Sequence, residues 1–214
     1  MKLSNKFLFI LFSLFVFSAF SFNSVYAQES KSRSNDGWFL VGYGYSFPSD
    51  KSMEGLQGPA TITIGGDLWR FIGLEVTLGG RWDTQNYVAT SNILGGYIPY
   101  NATSILWSFD IKPYLMLQPK IGVDMLSLRP YLGVGPSFHF TGINSTAEFL
   151  GNSSNSSSTN FDVGFSAKAG LRLQALKFLF VGVGAEYLYH ESKISHRNYD
   201  FSGFTVGAEV GFIW

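Results

Sequence analysis

The residues of this chain that could do chemistry are charged side chains at alternate positions within apolar segments. Five are acids and five are bases, all on the polar side of their segments: Glu75, Asp110, Asp162, Glu186 and Glu209; Arg81, Lys112, Arg129, Lys168 and Arg172. An unpaired charge in an apolar interior is prohibitive, whereas a balanced set can form ion pairs. If these segments enclose one interior, we expect an ion network there, with Glu75–Lys112 and Lys168–Glu186 as two of its couples.

The histidines are the other candidates, because a histidine beside a hydroxyl and an acid can activate a nucleophile. They are His139, His190 and His196, and the hydroxyls and acids nearby in sequence are Ser137, Ser192, Glu191 and Asp162. The alternative is a solvated histidine with chance neighbours. Since no helix follows the GVG and GYG glycines, they are not phosphate loops. With no metal-ligand spacing either, we predict no enzyme activity, no cofactor and no metal.

Composition excludes several function classes. The chain has 15 basic and 15 acidic residues among 214, and 13 bases remain without Lys2 and Lys6. This near neutrality argues against a nucleic-acid partner. There is no cysteine, so a disulfide framework or a thiolate metal site is excluded.

The first 27 residues have the pattern of an export signal. Lys2 and Lys6 precede an apolar run that begins at Phe7, and Val25-Tyr26-Ala27 suits cleavage. We predict a signal peptide over 1–27 and a polar lead-in over 28–36; the alternative is an uncleaved anchor. After residue 27, no apolar run reaches the roughly 18 residues that would indicate a membrane helix.

The rest of the chain alternates with a period of two, which predicts strands. The pattern is clearest from Gly203 to Trp214, a stretch long enough for a tilted strand to cross a bilayer. Eight such segments are predicted: 38–47, 60–66, 74–82, 105–112, 128–140, 161–172, 181–189 and 203–214. Long polar loops are expected at 48–58, 83–103, 141–160 and 190–201. Pro130 and Pro136 each lack a ladder donor, which predicts a bulge or a loosened pairing there.

The position of glycine indicates which face points inward. Glycines cluster on the polar face of the strands, where a solvated sheet would gain nothing from them. Inside a narrow eight-stranded barrel they make room for long side chains. We therefore predict an all-β, eight-stranded antiparallel transmembrane barrel over residues 37–214, with the apolar face toward lipid and aromatic residues near both ends of the strands.

Several stretches resemble the small outer-membrane β-barrel family that includes OmpA-type and OmpX-type domains. They are GWFLVGYGYSF (37–47), RPYLGVG (129–135), Glu186-Tyr187 and the terminal strand. The resemblance implies a monomer in the outer membrane, surrounded by lipid, with four external loops. It also implies that Phe212 and Trp214 belong to a signal read by the barrel-assembly machinery.

Three functions stay open. The first is a structural, surface-exposed protein with a binding or adhesion role toward a surface ligand. The second is a narrow porin-like channel or small-solute carrier. The third comes from the resemblance, since some such barrels are lipid-modifying enzymes with a histidine, a serine and an acid at the outer rim.

Deleting Trp214 should impair insertion, because the ring is placed on the lipid face, where an interfacial aromatic is favoured. We expect less protein in outer-membrane fractions and more misassembled protein in the periplasm. Cell fractionation and the heat-dependent gel shift measure this. Normal accumulation of the shortened chain with an unchanged shift would contradict the barrel prediction.

Overall fold

The structure, a computed structural model, describes residues 36–50, 58–69, 71–93, 96–123, 126–149, 152–175, 178–194 and 197–214. Within these ranges the backbone is almost entirely strand. No helix in them is long and apolar enough to cross a membrane. The predicted signal peptide, 1–27, and residues 28–35 of the lead-in lie outside the described residues.

The strands follow one another along the chain with connections of one to three residues, apart from residues 49–59 between β1 and β2. Of the loop predicted at 48–58, residues 51–57 lie outside the described residues. They are β1 (Gly37–Pro48), β2 (Ala60–Trp69), β3 (Ile72–Ile93), β4 (Gly96–Leu117), β5 (Ile121–Val123), β6 (Leu126–Phe149), β7 (Asn152–Ala175), β8 (Leu179–Tyr189), β9 (Glu191–Ile194), β10 (Arg197–Asp200) and β11 (Gly203–Ile213).

Eight of the described strands form a closed antiparallel ring. Each pairs with its neighbour in the order β1, β2, β3, β4, β6, β7, β8 and β11, and β11 returns to β1. The short β5 adds to β6, and β9 with β10 forms a separate hairpin. The predicted eight-stranded antiparallel barrel is therefore confirmed.

The register of the ring fixes its shape. Followed round the ring, the pairing leads from Phe47 through Phe204, Tyr187, Ala167, Val134, Leu115, Leu74 and Gly66 to Gly37. The path returns to β1 ten residues below its start, at Gly37 rather than Phe47. A stagger of this size over eight strands tilts them by about 40° and leaves an interior that side chains can fill.

The predicted orientation of the two faces is confirmed. The ten charged residues named above lie on the inner face, and seven of them are buried: Glu75, Arg81, Asp110, Lys112, Arg129, Lys168 and Arg172. The outer face exposes a belt of Val, Leu and Ile between two aromatic bands. The lower band, at the end that carries Gly37 and Ile213, contains Trp69, Phe71, Phe178, Phe212 and Trp214, and the upper band contains Tyr45, Phe47, Trp82, Phe140, Tyr189 and Phe204.

The prediction of long loops at 83–103 and 141–160 is wrong. β3 and β4 pair from end to end up to Ile93 and Gly96, and β6 and β7 pair up to Phe149 and Asn152. Serine and asparagine have low strand propensity, but a continuous ladder on a neighbouring strand overrides it. β4 also pairs with β6 up to Asn101, so the four strands form one sheet that rises roughly 25–30 Å above the upper aromatic band.

The segment 190–201 also differs from the predicted loop. It folds into the β9–β10 hairpin, which lies over the upper end of the barrel. Of the predicted bulge or loosened pairing, the structure shows loosened pairing at Pro136, on the edge toward β4. The β4–β6 ladder passes from the pair Ile111–Phe138 to the pair Leu115–Val134 with no pair between them. Pro136 and Pro113 of the facing strand both lie in this gap.

A charge on the outer face should be far more costly than a methyl group at an inner glycine with space. Val183 is 58% exposed on the belt, and Val183→Arg should destabilise the barrel by about 2–4 kcal/mol. Gly79 is the matched inner site, since a methyl group there would meet only ordinary contacts at 3.7 Å or more. Denaturant unfolding in lipid measures the free energy of unfolding of Val183→Arg and of Gly79→Ala. Equal losses in the two variants would contradict the assigned faces.

Gly184, next to Val183, is not such a site, although the sequence suggests it. The Tyr131 hydroxyl packs against both Gly170 and Gly184, and a methyl group at either would overlap it. The space beside these two glycines is therefore already filled by the Tyr131 side chain.

Candidate functional site

The lower end of the barrel interior is closed by an ion cluster around Arg129. Its guanidinium pairs with Asp36 and with Asp67, the latter at 3.1 Å between Nη1 and Oδ2. Gln118 donates a further hydrogen bond to Asp67 at 2.6 Å. Asp36 and Asp67 are absent from the predicted network because each lies at a strand end, where the alternation assigns no face. Above this cluster Trp38, Leu40, Phe180 and Ile213 form a buried apolar layer.

Glu75 is the centre of the next layer. Its carboxylate pairs with Lys168 and with Arg172, at 2.8 Å between Oε2 and Nη1, and accepts a hydrogen bond from the Trp38 indole at 3.0 Å. Arg172 also pairs with Glu209 at 2.5 Å. The two cations lie over tyrosine rings, Lys168 over Tyr114 and Arg172 over Tyr131. Charges from β3, β7 and β11 therefore meet across the barrel.

The two predicted couples exchange partners. Lys168 faces Glu186 in the β7–β8 register, but its ammonium pairs with Glu75 on the far wall. Glu186 pairs instead with Lys112. Because the barrel is narrow, a long side chain can reach the opposite wall as well as the neighbouring strand. The register alone therefore does not determine its partner.

Asp110 is the centre of the uppermost layer. It pairs with Arg81 at 3.3 Å and accepts a hydrogen bond from Ser108 at 2.6 Å. Its Oδ1 also lies 2.7 Å from Nδ1 of His139, whose Nε2 lies 2.8 Å from the Ser137 hydroxyl. Asp110, Ser137 and His139 are all fully buried.

His190 follows β8 and covers this layer. Its ring stacks on His139, with 3.7 Å between ring centroids and an angle of 10°, and Phe201 stacks on its other side at 5.1 Å. Asp162, on the rim and partly exposed, lies 3.8 Å from its Nε2. Burial, followed by the nearby His139, lowers the pKa of the His190 imidazole to about 3. The imidazole is therefore neutral at neutral pH.

The β9–β10 hairpin completes the cover. Ser192 on β9 hydrogen-bonds to Thr141 at 2.9 Å and accepts a bond from Asn160 at 3.3 Å. Ile194 and Phe201 pack with Leu106 in a small apolar cluster against the wall. Side chains of the segment that the sequence predicts as a loop thus cover the mouth on the side of β4, β6 and β7. His196 lies outside the described residues.

The order Ser137–His139–Asp110 is that of a nucleophile, a base and an acid. The acid is Asp110, whereas the sequence suggested Asp162 or Glu191. The other candidate hydroxyl, Ser192, hydrogen-bonds to Thr141. A cavity of about 70 Å³ lies lower in the barrel beside Lys168, Glu186 and Glu209, and Ser137 is not part of its lining. That volume suits a few water molecules. Among the described residues no cluster of three His, Asp or Glu could hold a metal ion.

The predicted assembly residues lie at the seam of the ring. Phe212 and Trp214 point outward and are exposed. The backbone of Trp214 exchanges two hydrogen bonds with Gly37, each of 2.9 Å. The last residue thereby closes the barrel against the first residue of β1.

A closed antiparallel ring with an apolar belt, two aromatic bands and a charged interior defines a transmembrane β-barrel of the outer-membrane type. The protein is an integral component of the outer membrane and has the fold of the small OmpA- and OmpX-like barrels. No protein-family model and no curated protein matches the chain.

Solved structures of outer-membrane proteins are similar to this chain. The outer membrane protein OprG from Pseudomonas aeruginosa is 12% identical with a TM-score of 0.55, over 85% of this chain and 97% of that one. The N-terminal barrel domain of OprF from the same organism is 16% identical with a TM-score of 0.45, over 85% and 98%. A major outer membrane protein from Thermus thermophilus is 14% identical with a TM-score of 0.41, over 85% and 100%.

Replacing Glu75 by glutamine should destabilise the barrel, because it leaves Lys168 without its carboxylate and Arg172 with Glu209 alone. Breaking a buried pair in this way costs about 3–5 kcal/mol. Denaturant unfolding in lipid measures the loss. A planar bilayer should show little steady conductance for the unmodified protein and a leak in the variant.

Glu191→Gln is the matched control, since Glu191 is exposed on the hairpin and should leave both measurements unchanged. A large, stable open-channel current from the unmodified protein would contradict the filled interior.

Proposed function

We propose that this protein is a surface-binding protein, in which the barrel is an anchor and the sheet above the membrane contacts a ligand outside the cell. The observation that carries the proposal is the extension of β3, β4, β6 and β7 beyond the upper aromatic band. A barrel whose strands were joined by unpaired loops would be anchored in the membrane equally well. A paired sheet instead holds a surface at a fixed height and orientation.

The side chains of this sheet suit binding by hydrogen bonds. Those on its outer face include Thr84, Asn86, Asn101, Thr146, Asn155 and Ser157, all exposed. Several pair across strands, as Thr103 does with Asn86 at 2.8 Å. A surface rich in hydroxyl and amide groups with few charges favours a polar, uncharged ligand surface.

The channel alternative receives less support. Four layers of side chains occupy the interior, from the Arg129 cluster to Asp110, and His190 covers the uppermost one. Opposite charges that share a low-dielectric interior attract strongly, which disfavours a continuous water path. The enzyme alternative lacks an accessible nucleophile, since Ser137 is buried beside His139.

The remaining features of the proposal concern biogenesis. A signal peptide over 1–27 would direct export, and Phe212 and Trp214 would be read by the barrel-assembly machinery. The charged set from Glu75 to Glu209 would hold the barrel closed as a lipid-embedded monomer. The exposed apolar belt, which suits contact with lipid, supports this arrangement.

Removing the top of the sheet should abolish binding without affecting the barrel. A trimmed variant replaces 86–103 and 145–156 each by an Asn-Gly turn, which joins the paired residues Gln85–Ser104 and Asn144–Ser157. Protein in lipid nanodiscs is tested against a panel of purified extracellular-matrix and serum proteins. We expect at least one to bind the full chain and not the trimmed variant.

Variants with one hairpin trimmed serve as matched controls, and the heat-dependent gel shift verifies the barrel. If no protein on the panel binds, or if the trimmed variant binds equally, the proposed function is wrong.

A further inference from the structure

His190 is a buried imidazole whose two ring nitrogens have no hydrogen-bond partner in the part of the chain that the structure describes. Its ring is held instead by stacking between His139 and Phe201. Stacking suits a neutral imidazole, whereas the two N–H groups of a buried imidazolium would each need an acceptor. The observed position of His190 therefore favours the neutral form.

The charged groups beneath His190 are already paired. Charged or titratable residues on the elements around it are Arg81 and Asp83 on β3, Asp110 on β4, His139 on β6, Asp162 on β7, Glu191 on β9 and Asp200 on β10. Asp110 pairs with Arg81 and lies 2.7 Å from His139. Asp83 accepts a hydrogen bond from Gln85 at 2.8 Å. A proton on His190 would thus gain no free acceptor below and would be repelled by Arg81.

The acids at the rim lie on the outer side of His190. Asp162 is partly exposed and lies 3.8 Å from Nε2, which is beyond hydrogen-bond length. Glu191 is exposed, and Asp200 is half-buried and accepts a bond from the backbone N–H of Ser202. A charged His190 would therefore have to move outward to reach water and the Asp162 carboxylate.

The β9–β10 hairpin, which begins next to His190, can move as a unit. Among the described strands it pairs only with itself. Its contacts with the wall include the hydrogen bonds of Ser192 to Thr141 and Asn160 and the packing of Ile194 on Leu106. No described ladder has to break when the hairpin lifts, so its closed position depends on a few side chains and on the His190 stack.

We propose that the β9–β10 hairpin is a lid that opens when the medium outside the cell becomes acidic, with His190 as the group that takes up the proton. Burial, followed by the nearby His139, lowers the pKa of the stacked imidazole to about 3, whereas an imidazole in water has a pKa of about 6.5. The open form therefore binds the proton more tightly. The closed form loses stability as the pH falls from about 6.5 toward 3, and each pH unit in this range raises the ratio of open to closed lids up to about tenfold.

Opening of the lid would uncover the upper interior without making a channel. Asp110, His139 and Ser137 lie directly below the His190 ring. The layer around Glu75 lies deeper, and its ion pairs with Lys168 and Arg172 do not involve the hairpin. The lid thus controls access to the uppermost layer only, whatever ligand the sheet above the membrane binds.

Cysteine reactivity can measure the open fraction, because the chain has no cysteine of its own. Ser192→Cys places a thiol at a buried position of the lid, and Lys193→Cys places one at the exposed neighbouring position. Both proteins, in nanodiscs, react with a slow thiol reagent. The rate for Ser192→Cys divided by that for Lys193→Cys cancels the pH dependence of the thiol. Between pH 7.5 and 5 this ratio should rise roughly thirtyfold while the open form is still the minor one.

His190→Phe, added to both cysteine variants, tests the role of the proton. Phenylalanine keeps a flat ring between His139 and Phe201 but cannot be protonated, so the rate ratio should no longer change with pH. The heat-dependent gel shift verifies that the barrel is folded. His190→Gln, which also lacks a titrating group, makes the same comparison if the aromatic variant misfolds.

A rate ratio that is the same at pH 7.5 and pH 5 in the protein with His190 would overturn the proposal. A rise that persists in the His190→Phe or His190→Gln variant would also overturn it, and would assign the response to another group such as His139.

Discussion

A lipid bilayer offers no hydrogen-bond partner to a peptide group, so every strand within it must be paired on both edges. The ring meets this requirement through the β1–β11 ladder at its seam, which the two bonds between Gly37 and Trp214 extend at the lower end. The same requirement ends at the upper aromatic band. Above it, water can solvate a free edge, and only there do β3 and β7 each have a single neighbour among the described strands. The membrane thus separates a closed barrel from an open sheet.

The interior follows from the narrowness of this ring. Its inner surface carries long charged side chains, and glycines leave room for some of them, as Gly182 does for Glu209 and Arg172. Tyr131 fills the space above Gly170 and Gly184. Lys168 and Arg172 each lie over a tyrosine ring and pair with Glu75. Charge and ring stacking therefore hold the same layer together.

Much of this architecture could be predicted from the sequence, because a period of two assigns each side chain to one face. The strand number, the orientation of the faces and the balance of inner charges all follow from that period. The partners of Lys168 and Glu186 do not, since parity cannot show which residues meet across the barrel. The upper halves of β6 and β7 were also missed, because serine and asparagine read as loop until the neighbouring strand is known. At His139, the acid that accepts its bond is on β4, far away in sequence.

The tall sheet has a mechanical consequence. A load applied to the tips of its hairpins and directed away from the cell has its larger component along the tilted strands. The two strands of each hairpin move together under such a load, so shear falls on the β2–β3 and β7–β8 ladders, which join the sheet to the rest of the ring. The bonds of each ladder bear the load together instead of opening one after another. Tension is thereby passed directly to the wall of the barrel, where the lipid belt resists extraction. A flexible loop in the same place would stretch before it transmitted any force.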